Sequence, residues 1–252
     1  MFCNSSSLDL LEQNTYDKYD IQFDGNRYTY NGHNLPRVTE ILSSMLHEEG
    51  LMSWSNYIGK KGQDYNKTLN LAAKKGTYVH NAIEDYIQNN EELDINKVDS
   101  FCSDDVYNAY NSFLTWWNSI KDNVEVLMEE TPLVGKYFAG TLDLLIKWND
   151  KIYLIDFKTS NHPSYKYFLQ LSAYRYLLKE LYNIEIDGCG IIMLNKKDIN
   201  FNEIIIDFSN PYDLSYINQC KETFFSLVYA FYNRLKVESM FKNILKNNEM
   251  VE

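Results

Sequence analysis

Two carboxylates and an amine, Asp143, Asp156 and Lys158, sit inside a short, otherwise apolar stretch. Residues 140–148 read Gly-Thr-Leu-Asp-Leu-Leu-Ile-Lys-Trp, and residues 151–158 read Lys-Ile-Tyr-Leu-Ile-Asp-Phe-Lys. Between them lies Asn149-Asp150, a pair that tolerates the positive φ of a two-residue hairpin turn. Trp148 then pairs with Lys151, and counting back along both strands puts Asp143 opposite Asp156. Directly opposed side chains share a face with Cβ atoms about 4.5–5.5 Å apart, and like charges there repel. A divalent cation removes that repulsion, since hard cations take carboxylate oxygens. The period of two also sets Ile152, Leu154, Asp156 and Lys158 on one face. An ordinary surface hairpin with a Lys–Asp pair remains the plain alternative. Against it, an unpaired charge inside an apolar strand is costly.

Two further pairs have helical spacing. His80 and Glu84 stand at i and i+4, one helical face, with Val79, Ile83 and Tyr86 marking an apolar face beside them. That geometry suits two ligands of one metal, or a ligand and the group that orients it. It also suits a solvated surface contact. Gln170 and Tyr174 repeat the spacing twelve residues past Lys158. An amide can bond a phosphate or base, and a phenol can stack or donate. A core tyrosine beside a surface glutamine is the bland alternative.

The elements that must position these residues follow from periodicity and turn residues. A β segment at 27–30 turns at Asn31-Gly32, and Thr39 can cap a helix after Pro36. A helical stretch runs over about 54–74, breaks at Gly76, and resumes over 77–88. Ser103-Asp104-Asp105 starts another helix with carboxylates at the positive end of its dipole. From Val124 the period changes to two, with strands at about 124–134, 137–148 and 151–158. A helix over 164–182, strands at 189–194 and 201–208, and a helix over 213–237 complete the order. This is an α/β class: a central mixed sheet flanked by helices, with further helices on its N-terminal side. One domain is expected over residues 16–238, with a helical part over about 35–122 and an α/β core over about 123–238. Tails are expected at 1–15, which is flexible, and at 239–252.

The chain has 252 residues, 45% hydrophobic and 15% aromatic, which excludes a disordered or low-complexity protein. Its net charge is −11, which argues against coating nucleic acid or an anionic membrane by bulk charge. The charge is uneven. Residues 51–90 are net +2 and residues 131–182 net +3, and these two segments carry the motifs. In place of bulk attraction, the expectation is a confined basic cleft with strongly salt-sensitive binding. Cys3, Cys102, Cys189 and Cys220 are dispersed, with no Cys-x-x-Cys pair. They form no zinc pattern or disulfide framework, and a reduced cytoplasmic compartment is expected. No signal peptide or membrane span is legible.

The order of the motifs is more telling than any one of them. Gly76-x-x-x-His80-x-x-x-Glu84, then Gly140-x-x-Asp143, then Asp156-x-Lys158, then Gln170-x-x-x-Tyr174 resembles the RecB-like branch of the PD-(D/E)XK nuclease superfamily. Residues 35–42, Leu-Pro-Arg-Val-Thr-Glu-Ile-Leu, are similar to the N-terminal element of phage exonucleases and of mitochondrial genome maintenance exonuclease. The resemblance implies a restriction-endonuclease-like core and a metal-dependent deoxyribonuclease acting on single strands or DNA ends. It implies one or two Mg²⁺ or Mn²⁺ ions held by His80, Asp143, Asp156 and the carbonyl of Phe157, with Glu84 in support. Lys158 would orient the attacking water and steady negative charge. Gln170 and Tyr174 would position the strand and brace the site, and Thr159 would meet phosphate. Lys60, Lys61, Lys74 and Lys75 offer a track for the backbone, and Trp54, Tyr57 and Tyr65 offer either a stacking platform or core packing. Asp156 stands where many relatives have Glu, and no proline precedes Asp143. The cysteine cluster that binds iron–sulfur in some relatives is missing, so no such cluster is expected. A phage or bacterial host cell and no membrane partner complete the expectation. A non-catalytic binding module, a structure-specific endonuclease and a metal-dependent phosphatase stay open as rivals.

Overall fold

The computed structural model describes residues 21–23, 28–30, 32–46, 49–100 and 102–249. The expected tail at 1–15, Cys3, and Arg27 and Asn31 of the first β segment lie outside them. A small antiparallel sheet comes first: β1 (Ile21–Phe23), β2 (Tyr28–Tyr30) and β3 (His33–Leu35). Three helices follow, α1 (Val38–Met45), α2 (Glu49–Lys60) and α3 (Tyr65–Asn89), then α4 (Ser103–Ile120). The central sheet is built from β4 (Val124–Val134), β5 (Ala139–Trp148), β6 (Lys151–Lys158), β7 (Gly188–Leu194) and β8 (Phe201–Asp207), in that spatial order. α5 (Tyr165–Tyr182) crosses from β6 to β7, and α6 (Pro211–Glu249) follows β8.

The sheet is mixed. β4, β5 and β6 form an antiparallel meander, β7 lies parallel to β6, and β8 pairs antiparallel to β7. The parallel step needs a crossover, and α5 supplies it. Asn149 (φ 49°) and Asp150 (φ 63°) take the left-handed conformations of a type I′ turn. The register from Trp148↔Lys151 to Leu144↔Ile155 is the one that turn dictates.

Helices cover both faces. α1, α5 and α6 pack on one, over Leu145, Leu154 and Ile191. α3 and α4 pack on the other, over Leu144, Ile155 and Ile192. Adjacent residues of β6 thus serve opposite layers, as the period of two requires. Phe157 meets Phe113 and Trp116 of α4 edge-on, at centroid distances of 5.5 and 5.4 Å. β7 is buried along its whole length, as a strand covered on both faces must be. Cys102, Cys189 and Cys220 are buried free thiols. No helix among the described residues is long and apolar enough to cross a membrane.

Several boundaries differ from the sequence expectation. The break between helices falls at Gly62, whose φ of 69° favours glycine, and not at Gly76. Asp64 then caps α3 by accepting from Lys67 N at 2.8 Å, and the helix runs unbroken through Gly76. An interior helical glycine costs only about 1 kcal/mol, which 25 residues of continuous helix absorb. Thr39 lies inside α1, which starts at Val38, so it is not the cap; Glu40 instead accepts from Arg37 N at 3.4 Å. α6 runs on to Glu249 where a helix end at 237 and a tail were expected.

Candidate active site

The site forms where His80 of α3 meets acidic side chains from the interior of β4 and β5. α3 brings His80, one third of the way from its C-terminal end. The β5–β6 ladder stops at Leu144↔Ile155, one pair short of the two aspartates. There the Asp143 carboxylate accepts a hydrogen bond from Phe157 N at 2.8 Å. A side chain thus replaces a backbone partner and fixes where that carboxylate points.

His80 Nδ1 lies 3.6 Å from Asp143 Oδ2 and 3.7 Å from Glu130 Oε1. The ligand atoms of His80, Glu130 and Asp143 all fall within 4.8 Å of one another. Glu130 was not singled out in the sequence. It sits on β4 between Glu129↔Leu144 and Thr131↔Leu142, the register position facing Asp143, and its φ of 38° is left-handed. For a residue other than glycine that conformation is held by its surroundings, here at a strand that gathers carboxylates. The signal available in the sequence was a Glu129-Glu130 pair in an apolar strand, one strand before Asp143.

Asp156 stands beside this group and is not one of its three members. It is 1% exposed, accepts from Gln170 Nε2 at 2.9 Å, and pairs with Lys158 Nζ at 2.7 Å. Gln170 also accepts from Lys158 Nζ at 3.4 Å and donates to the Tyr174 hydroxyl at 3.4 Å. Both Gln170 and Tyr174 are buried. Their polar ends are spent on the site's own side chains, so they brace Asp156 and Lys158 and present no exposed surface to a strand. Gly140 of the Gly-x-x-Asp motif is explained by the same contact. A Cβ there would come within 2.6 Å of Tyr174 Cε1 and 2.7 Å of its hydroxyl.

Electrostatics follow from burial. Desolvation lifts the Asp143 and Asp156 carboxyls above the usual carboxylate range, although His80 and Lys158 oppose it. Burial pushes the His80 imidazolium down, but Asp143 and Glu130 outweigh it and raise its pKa to about 9. Burial likewise opposes the Lys158 ammonium, and Asp156 and Asp143 raise it on balance. Glu129 is pushed up to about 8 by burial, then by Glu84 and Glu130. Oxygen donors held in this desolvated state, with one imidazole, fit a hard or borderline divalent cation.

The remaining expected residues are spread out. Glu84 lies by Glu129 and accepts from Gln88, outside the three-residue group. Thr159 follows Lys158 and faces Gly76 of α3, 3.6 Å from where a Cβ would stand. The Phe157 side chain is buried among the aromatics of α4. Lys60 and Lys61 are exposed at the end of α2, with Lys61 Nζ 4.5 Å from the centre of the Tyr57 ring, and neither joins the site's hydrogen bonds or ion pairs. Lys74 pairs with Asp99, and Lys75 with Asp105 at 2.5 Å, so both tie down α3. Trp54 packs edge-on against Tyr65 at 5.3 Å, which is packing between helices.

Residues 56–227 match the family model of the PD-(D/E)XK nuclease superfamily. The match covers more than half of the chain, and the protein belongs to that superfamily. Its mixed sheet between helical layers is the restriction-endonuclease-like α/β fold. Members of the superfamily are generally nucleases that use divalent metals on nucleic acid. No curated protein matches the chain.

Proposed function

We propose that the protein is a metal-dependent deoxyribonuclease of the RecB-like branch, an exonuclease acting on single strands or DNA ends. The convergence of His80, Glu130 and Asp143 beside the buried Asp156–Lys158 pair carries this reading. The order of the motifs along the chain supports the branch. One nuclease domain over residues 16–238 accommodates all of them.

In this reading His80, Glu130 and Asp143 would hold Mg²⁺ or Mn²⁺, and Asp156 and the Phe157 carbonyl would be further candidate ligands. The bound ion would supply Lewis acidity toward the phosphate and a lowered pKa for water. The imidazole favours Mn²⁺ over Mg²⁺. The chain's own residues do the rest. Lys158, a cation fixed by Asp156 and Gln170, orients the water and stabilises charge building on the phosphoryl oxygens. Asp143 is aimed by the Phe157 amide, and Gln170 with Tyr174 keeps Asp156 from turning away. Glu84 supports the metal site through Glu129.

End-labelled single- and double-stranded oligonucleotides test this with Mg²⁺, Mn²⁺ or EDTA. The wild type is expected to cut progressively from an end only with metal, and Asp143→Ala or Lys158→Ala to lose about 10²–10³-fold, on the order expected for a removed charge-stabilising group. Cutting by either variant at the wild-type rate overturns the assignment. Internal products from a circular substrate would make the enzyme an endonuclease.

A further inference from the structure

A groove of about 530 Å³ opens at the carboxyl ends of the parallel strands β6 and β7. Lys196, Lys197 and His162 line it with the neutral donors Ser160, Asn161 and Asn202, and none of its lining residues is a carboxylate. In a chain of net charge −11, that is a local reversal of sign. These lysines lie in residues 183–252, which are net −3 overall, so the reversal does not show in the charge along the chain.

The groove adjoins the site. Lys158 pairs with Met193, which lines the groove, and Ser160 lies two residues past Lys158. Tyr167 bridges the two: its ring lies 5.2 Å from Lys158 Nζ, and its hydroxyl is 2.7 Å from Ser160 Oγ. Two residues of extended chain span at most about 7 Å. At about 3.4 Å per nucleotide of a stacked strand, that is roughly two nucleotides.

The loop carrying the lysines is held rigid from below. Asn108 of α4 donates its amide to the carbonyls of Lys196 and Lys197, at 3.0 and 3.2 Å. The buried Ser112 hydroxyl accepts from Asn200 N at 2.9 Å, and Asn195 Oδ1 accepts from Lys197 N at 2.9 Å. A loop whose backbone is set beforehand costs little further backbone ordering when it binds. Burial holds the half-buried Lys196 ammonium below its usual range, with Asp105 opposing and Lys75 adding to the depression. A desolvated cation of this kind gains from an anion. Asp198, in the same turn, and Asp105, already paired with Lys75, are the nearby acids.

We propose that this groove binds the sugar–phosphate backbone of the nucleic-acid strand next to the cleaved bond, with Lys196 and Lys197 on phosphates and Asn108 as the positioning residue that sets their loop. The proposal rests on the nuclease reading and adds the path of the strand.

Fluorescence anisotropy of a labelled 20-nucleotide single strand in EDTA reads binding without cleavage, at several salt concentrations. Lys196→Ala/Lys197→Ala is expected to weaken binding at least tenfold and to lower the slope of log K against log salt by about 1.4, two contacts on a single strand. Asn108→Ala, which keeps both lysines, is expected to weaken binding with the slope retained. Lys236→Ala/Lys242→Ala on α6 makes the same charge change elsewhere and is expected to leave affinity unchanged. If the groove variant binds with wild-type affinity and slope, or the α6 variant loses as much, the proposal is overturned. Wild-type cleavage, measured in parallel, separates the two readings. A wild type that cuts while the groove variant binds normally sinks the groove alone. One that binds through these lysines yet cuts nothing under any metal sinks the nuclease reading alone. A wild type that neither binds nor cuts sinks both. RNA and duplex arms report which strand the groove prefers.

Discussion

In the proposed reading, metal affinity turns on His80. Without an ion its imidazole is protonated below about pH 9, because Asp143 and Glu130 outweigh its burial. A cation needs the neutral ring, so binding must expel that proton. Affinity for Mn²⁺ is therefore expected to rise about tenfold per pH unit from 7 toward 9 and then level off. Titration calorimetry at pH 7 in buffers of different ionisation enthalpy is expected to show about one proton released per ion. A heat independent of the buffer would remove His80 from the ligand set. Gly140 gives a second prediction at this scale. An added methyl at Gly140→Ala meets Tyr174, which is buried and cannot swing out. The overpacking is expected to cost about 1–3 kcal/mol of stability in a denaturant melt. It also loosens the Gln170–Asp156 bond, so cutting is expected to fall further than the loss of folded protein explains.

Among the elements, α4 links stability to the site. Phe113 is fully buried, stacked at 6.1 Å on Trp117 and edge-on to Phe157. Phe113→Ala is expected to cost about 3–5 kcal/mol in a chemical melt. A loss under 1 kcal/mol would mean that the layer over β6 is not the core described. The three strands of the meander were legible in the sequence because local rules fix them. Asn149-Asp150 accepts positive φ, and period two then sets the register as far as Leu144↔Ile155, one pair short of Asp143 and Asp156. Glu130 was not legible, since its place depends on a left-handed residue within β4 that no pattern of residue types announces. The same limit applies to Gly76 and Gly62. Residue type alone marks Gly76 as the break and lets a helix pass through Gly62; only the positive φ at Gly62, a property of the fold, reverses that. Lys196 and Lys197 were missed for another reason: a charge sum along the chain cannot see that α4 draws their loop beside β6.

For the whole molecule, charge and length raise separate questions. The net −11 repels nucleic acid at long range, and a carboxylate-free groove attracts it at short range. Length concerns α6. Its first part is core: Ile217, Phe224 and Phe231 are buried against the sheet. Tyr232 donates to the Tyr137 carbonyl at 2.7 Å, and Arg234 to the Ser44 carbonyl at 3.3 Å. From Lys236 to Asn247 every residue is exposed, Val237, Met240, Phe241 and Ile244 among them. A helical segment that buries nothing adds almost nothing to the cooperative core, because helix propensity alone barely stabilises a dozen residues in water. Ending the chain after Leu235 is therefore expected to shift the thermal midpoint by less than about 2 °C, since 1 kcal/mol corresponds to about 2–4 °C at this size. Cutting of labelled DNA is expected to persist, because every site residue lies on the retained part. A fall of 5 °C or more would show that the exposed turns are covered in solution, and sedimentation of the full chain at several concentrations would then show whether a second copy covers them.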